Sequence, residues 1–186
     1  MDADVHGAGV AGTDFDETCG VIRSPTAIRP FSGRIRLGVP ELLEMALELV
    51  PLAVPRARSL PWSARSWALL DSADGYEVFV NTWPSGGSIE LHDHGDSAGA
   101  AVVVAGELTE TRVVTAGSGI VSGTRVETFL AGHTLSLELG CIHDLVNRGP
   151  MRAVSVHAYS PRLRSMTFYD NLGSKLGTVG TLRYDS

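Results

Sequence analysis

The sequence predicts a mainly β domain, closed as a sandwich or small barrel, with helical structure ahead of it. From Tyr76 onward, short β-branched runs ("YEVFVNTW", "GAAVVVAG", "ELTETRVVTA", "RVETFLAGHTLSLELG", "MRAVSVHAYS", "TVGTLRYD") are separated by Gly, Pro, Ser and Asn. They recur at intervals of roughly ten residues, as in sandwiches and barrels. No longer period is visible that would signal a propeller or solenoid.

Along the chain, residues 1–34 are rich in Gly, Asp, Thr and Pro without a hydrophobic period and are expected to form a flexible arm. Residues 35–186 are expected to form one domain. In "PELLEMALELV", Pro40 stands at a first-turn position, and Leu42, Leu43, Met45, Ala46, Leu47, Leu49 and Val50 alternate with acids, which reads as one amphipathic helix packed on the barrel.

A chain of 186 residues has room for one sizeable core. Hydrophobic content of 44% with 19% charged residues is ordinary for a soluble protein, and a net charge of −6 argues against nucleic acid or anionic membrane as partner. No apolar run reaches the roughly 18 residues of a membrane span, and no leader-like segment opens the chain. Cys19 and Cys141 make neither a disulfide framework nor a zinc-finger spacing. These features lead us to expect a cytoplasmic protein with a small-molecule partner and, since no large apolar stripe shows beyond the single helix, a monomer.

The chemistry concentrates in "GGSIELHDHGDSAGAAVVVAG". On an extended strand His92 and His94 face one side while Asp93 turns away, so two imidazoles are preplaced. Alone, such a pair serves equally as hydrogen-bonded histidines. Downstream, "GHTLSLELGCIHDLVN" supplies His143.

Together these segments resemble the paired motifs of the cupin superfamily. Gly86, His92, His94, Gly99 and Gly106 fall at the spacing of the first motif, with Gly99 where a glutamate is usual. Gly132, Glu138, Gly140, His143 and Asn147 follow the second, with Glu138 in place of its proline. The resemblance implies a cupin double-stranded β-helix in which His92, His94 and His143 are ligands to one metal ion. Three neutral imidazoles leave adjacent coordination positions open and provide no protein anion, so an anionic ligand such as a thiolate suits the site.

In "SVHAYSP", Ser155, His157 and Tyr159 alternate on one strand face. This segment resembles the Ser-x-His-x-Tyr-Ser-Pro motif of the cysteine dioxygenase family, and "LHDHGDSAGA" resembles that family's first metal motif. The resemblance implies Fe(II) as cofactor, a small thiol and O2 as substrates, a sulfinic acid as product, and a Ser155–His157–Tyr159 hydrogen-bond relay as the catalytic trio. With glycine at 99, no cysteine–tyrosine crosslink forms.

Family members that act on cysteine carry an arginine ahead of the first barrel strand to pair with the substrate carboxylate. Here two registers compete. One places Trp67-Ala68-Leu69 at that segment, with Leu69 at the anchor, and is favoured by the following Leu70; the other places Ser63-Ala64-Arg65 there. Arg162 and Arg164 are further candidate substrate contacts. Glu90 is expected to be exposed, His133 to be a turn histidine after Gly132, Cys141 to pack unreactively, and Trp83 to pack against the barrel. Two alternatives to a thiol dioxygenase stand: a metal-binding cupin with a sensor or regulatory role, and a cupin enzyme acting on a non-thiol substrate.

Overall fold

A computed structural model describes residues 36–116, 120–171, 173 and 175–184; the expected arm, with His6 and Cys19, lies outside them. The described chain begins with α1 (Val39–Glu48) and α2 (Val50–Arg58). Eleven strands follow: β1 (Ser66–Ala73), β2 (Tyr76–Trp83), β3 (Ser88–His92), β4 (Ala98–Ala105), β5 (Glu107–Thr115), β6 (Val121–Leu130), β7 (Thr134–Leu137), β8 (His143–Val146), β9 (Ala153–Ser160), β10 (Ser165–Asn171) and β11 (Leu176–Arg183).

The expected single helix is split. Pro51 would clash with the carbonyl of Leu47 in a continuous helix, so the chain turns at Leu49 and restarts at Val50. Strands β1, β8 and β10 were also unmarked by the sequence texture, being short or outside the plain alternating runs.

The strands form two antiparallel sheets, ordered β1-β2-β9-β4-β7 and β11-β10-β3-β8-β5-β6. This is a mainly β double-stranded β-helix, the cupin fold, with helices at its N-terminal side. Alternation divides the first sheet into two faces. Val78, Val80, Ala100, Val102, Val156 and Ala158 point outward, where Leu42, Ala46, Leu49, Ala53 and Ala57 of the helices cover them. Each large side chain fully buried there contributes about 1.5–3 kcal/mol. The opposite face joins Ala101, Val103 and Ala153 to Leu108, Leu135 and Leu145 in a second core between the sheets. The face bearing this second core also carries Ser155, His157 and Tyr159, and one part of the interior is an open cavity of about 820 Å³ rather than packed side chains.

Among the described residues no helix is long and apolar enough to cross a membrane.

Candidate metal centre

His92 closes β3 and pairs with His143 at the head of β8. His94 is not on the strand, as expected from the sequence, but beyond its end. A bend held by Asp93 sets its direction: the Asp93 carboxylate accepts from the amides of Gly95 (2.9 Å) and Thr167 (3.3 Å) and from the Tyr169 hydroxyl (2.6 Å). Asp93 thus faces away from the cavity, as the alternation predicts, and ties the motif to β10. Asn147, fully buried, secures the other motif by donating to the carbonyls of Trp83 and Met151.

The three imidazoles are buried and their ligating nitrogens lie within 4.8 Å of one another. Nδ1 of His92 donates to the Glu90 carbonyl at 2.7 Å, leaving Nε2 as a lone pair. That Nε2 meets Nε2 of His94 at 3.2 Å. Nδ1 of His143 faces the Glu110 carboxylate at 2.7 Å, while its Nε2 is buried without any hydrogen-bond partner. An ion with bonds of about 2.1 Å at right angles separates its donors by about 3 Å. The orphaned nitrogen of His143 and the close pair formed by His92 and His94 therefore fit a metal ion. Among the described residues no carboxylate joins the three nitrogens.

Glu110 escaped the sequence reading. Burial alone would raise its carboxyl, but hydrogen bonds from His143 and from Arg112 (2.9 Å) outweigh it and hold the group below its ordinary range. The available signal was a charged residue two positions after Leu108, on the same face of β5 as that buried leucine. Burial pushes the nearby Cys141 thiol up to about 11, so it stays protonated, as expected of an inert cysteine.

Gly99 explains the missing motif glutamate. A Cβ at that position would stand 2.8 Å from Cδ1 of Tyr159, whose ring covers it. The same ring lies 5.0 Å from that of His94. From Tyr159 a chain of side chains runs inward: Oη to His157 Nδ1 at 3.3 Å, His157 Nε2 to Ser155 Oγ at 2.8 Å, and the Trp83 indole N–H onto Ser155 Oγ at 2.9 Å. Trp83 is thus a member of the relay as well as a packing residue.

Trp83 only donates, and burial keeps His157 neutral by pushing it down to about 3. We assign the arrangement in which Ser155 donates to His157 and His157 donates to Tyr159. The opposite sense would strand the Ser155 proton at a fully buried site, whereas this one leaves the Tyr159 proton free at the cavity.

Arg65 lines the cavity with the metal histidines, its guanidinium 5.3 Å over the Trp83 ring, and it forms no ion pair among the described residues. Leu69, on the same face of β1 as Trp67, is 45% exposed and outside the cavity wall, so of the two candidate positions Arg65 is the one in the wall. Trp67 lines the wall instead, edge-on to Phe79. Arg162 lies at the mouth, 3.6 Å from Glu77, and Arg164 is exposed there. Glu90 and His133 are exposed.

A family model described as cysteine dioxygenase type I matches residues 56–172, well over half of the chain. The chain belongs to the cysteine dioxygenase type I family. This membership and the three-histidine cluster make it a metal-binding cupin enzyme of dioxygenase-like type. Solved structures of similar fold include oxalate oxidase in complex with glycolate, 23% identical with a TM-score of 0.49, over 59% of this chain and 57% of that one. A Klebsiella pneumoniae protein with a double-stranded β-helix domain is 18% identical with a TM-score of 0.45, over 83% of this chain and 99% of that one. The cupin domain of Schizosaccharomyces pombe Cnp3 is 11% identical with a TM-score of 0.47, over 56% of this chain and 66% of that one. The chain thus spans little more than half of the oxalate oxidase chain.

The histidines of this cysteine dioxygenase family member make a pH prediction. Burial, then the neighbouring His143, pushes His92 down to about 3, and burial pushes His94 well below its ordinary value. Below pH 6.5 the unfolded chain binds protons that the folded chain refuses. Stability of the metal-free protein should therefore fall as pH drops from about 6.5 toward 4, each of His92, His94 and His157 contributing up to about 1.4 kcal/mol per pH unit. Urea denaturation across this range checks it; a flat profile would show that these rings accept protons in the fold.

Proposed function

We propose that the protein is an Fe(II)-dependent thiol dioxygenase of the cytoplasm, converting a small anionic thiol and O2 to a sulfinate. The observation that carries this reading is the convergence of three imidazole nitrogens on a cavity that also holds the Tyr159 hydroxyl and Arg65, which has no ion-pair partner among the described residues. Iron would be held by His92, His94 and His143, and would bring thiolate and O2 together so that sulfur gives up four electrons and O2 takes them. With that balance no outside reductant is needed, and both oxygen atoms end on sulfur.

The protein's own groups do the rest. Arg65, positively charged and half-buried, pairs with an anionic group of the substrate, such as a carboxylate. Its stacking on Trp83 fixes the guanidinium while the Trp83 N–H fixes Ser155. The relay then holds the Tyr159 proton at Oη, aimed at the cavity, where it donates to the reacting sulfur or the oxygen it acquires. Burial raises the Tyr159 phenol above its ordinary value, so it is protonated throughout the neutral range. Arg162 already faces Glu77, which makes Arg65 the better substrate contact.

Oxygen uptake by the iron-loaded protein with cysteine, cysteamine and mercaptopropionate, followed by product mass, tests the reading. Metal binding with no uptake for any thiol would favour the sensor alternative. Tyr159→Phe should keep its iron and lose about 10²-fold or more of its rate of sulfinate formation; an unchanged rate removes the phenol from the chemistry.

A further inference from the structure

Two of the metal-facing histidines, His92 and His143, differ in what stands behind them. His92 has a backbone carbonyl, that of Glu90, behind its Nδ1. His143 has a carboxylate, Glu110, at 2.7 Å, and Glu110 is itself only 3% exposed. The Glu110 oxygen that meets His143 also accepts from Arg112, whose terminal nitrogen reaches the Ser136 carbonyl as well at 2.7 Å. The carboxylate is thus clamped between a permanent cation and the imidazole. It has no route to the other two ring nitrogens.

We propose that Glu110 is a positioning residue for the metal. Through the Nδ1–H of His143 it fixes the tautomer that presents Nε2 to the ion and makes His143 a more electron-rich donor than His92, whose Nδ1 faces a neutral carbonyl. A site whose direct ligands are all neutral thereby receives anionic character one hydrogen bond away, from β5 rather than from the motif position that Tyr159 denies to a glutamate. A carboxylate behind a ligating imidazole raises its basicity, and loss of such a partner typically weakens metal binding 10–100-fold. The inference rests on the three-histidine metal site, not on thiol oxidation.

The test uses the full chain and Co(II). The wild type should bind Co(II) and show hyperfine-shifted, exchangeable imidazole N–H resonances in proton spectra. Glu110→Gln should bind Co(II) about 10–100-fold more weakly and shift the N–H resonance of His143, while that of His92, against its carbonyl, stays in place as the internal reference. Loss of packing alone would lower affinity without this selective shift. Unchanged affinity, or N–H resonances that do not move or move together, would overturn the proposal. Failure of the wild type to bind Co(II) would instead strike the metal site itself. If Glu110→Gln does not fold, Arg112→Gln, at a partly exposed side chain, removes the competing cation. The His143 resonance should then move the opposite way, and a stationary one overturns the proposal.

Discussion

His143→Ala is expected to abolish metal retention, lowering affinity for Fe(II) by more than the 10–100-fold that loss of an outer-shell partner costs. Removing one of the three donors leaves two nitrogens, and among the described residues no carboxylate is grouped with those two. Alanine has a second effect. It leaves Glu110 buried with Arg112 as its remaining partner, a loss worth about 1–3 kcal/mol of stability. His143→Asn separates the two, because its amide N–H is a donor for Glu110 but offers no ring nitrogen. Both variants should emerge metal-free by elemental analysis, with Asn the more stable. Full metal content in either one contradicts the assignment of His143 as a ligand.

Arg65→Gln is expected to raise the KM for carboxylate-bearing thiols about 10- to 150-fold, the equivalent of the 1.5–3 kcal/mol carried by a charge-assisted contact. Cysteamine lacks the carboxylate and should be almost unaffected. The comparison matters because Arg65 also stacks on Trp83, so truncation could disturb the Ser155–His157–Tyr159 relay and depress turnover for every thiol alike. Steady-state kinetics with mercaptopropionate beside cysteamine tells the two apart: equal losses for both would deny Arg65 a role in anion recognition. Leu69→Ala, at an exposed position outside the cavity, should leave both KM values as they are.

The site was legible in the sequence wherever its geometry is local. Ser155, His157 and Tyr159 share a face because β9 is regular, whereas His143 was joined to His92 and His94 through the resemblance to the paired cupin motifs rather than through local geometry. Positions that depend on pairing across strands were not legible. The choice between Arg65 and Leu69 turned on counting residues back from Tyr76, and β1 shifts its register between Leu69 and Asp71, an irregularity that the sequence does not mark. Trp83 reaches Ser155 from β2, and Glu110 reaches His143 from β5; each is an ordinary strand residue until the neighbouring strand is known. The helix break at Leu49 was written in Pro51, but the hydrophobic period running through it concealed the stop.

The contact between position 99 and the Tyr159 ring ties two chemistries into an either–or choice. With the ring where it lies, a carboxylate arm rooted at 99 and the phenol swung over it claim one volume. A side chain entering at 99 on β4 therefore has to displace the aromatic of β9, so the residue at one strand position sets where the proton-bearing group of its neighbour can stand.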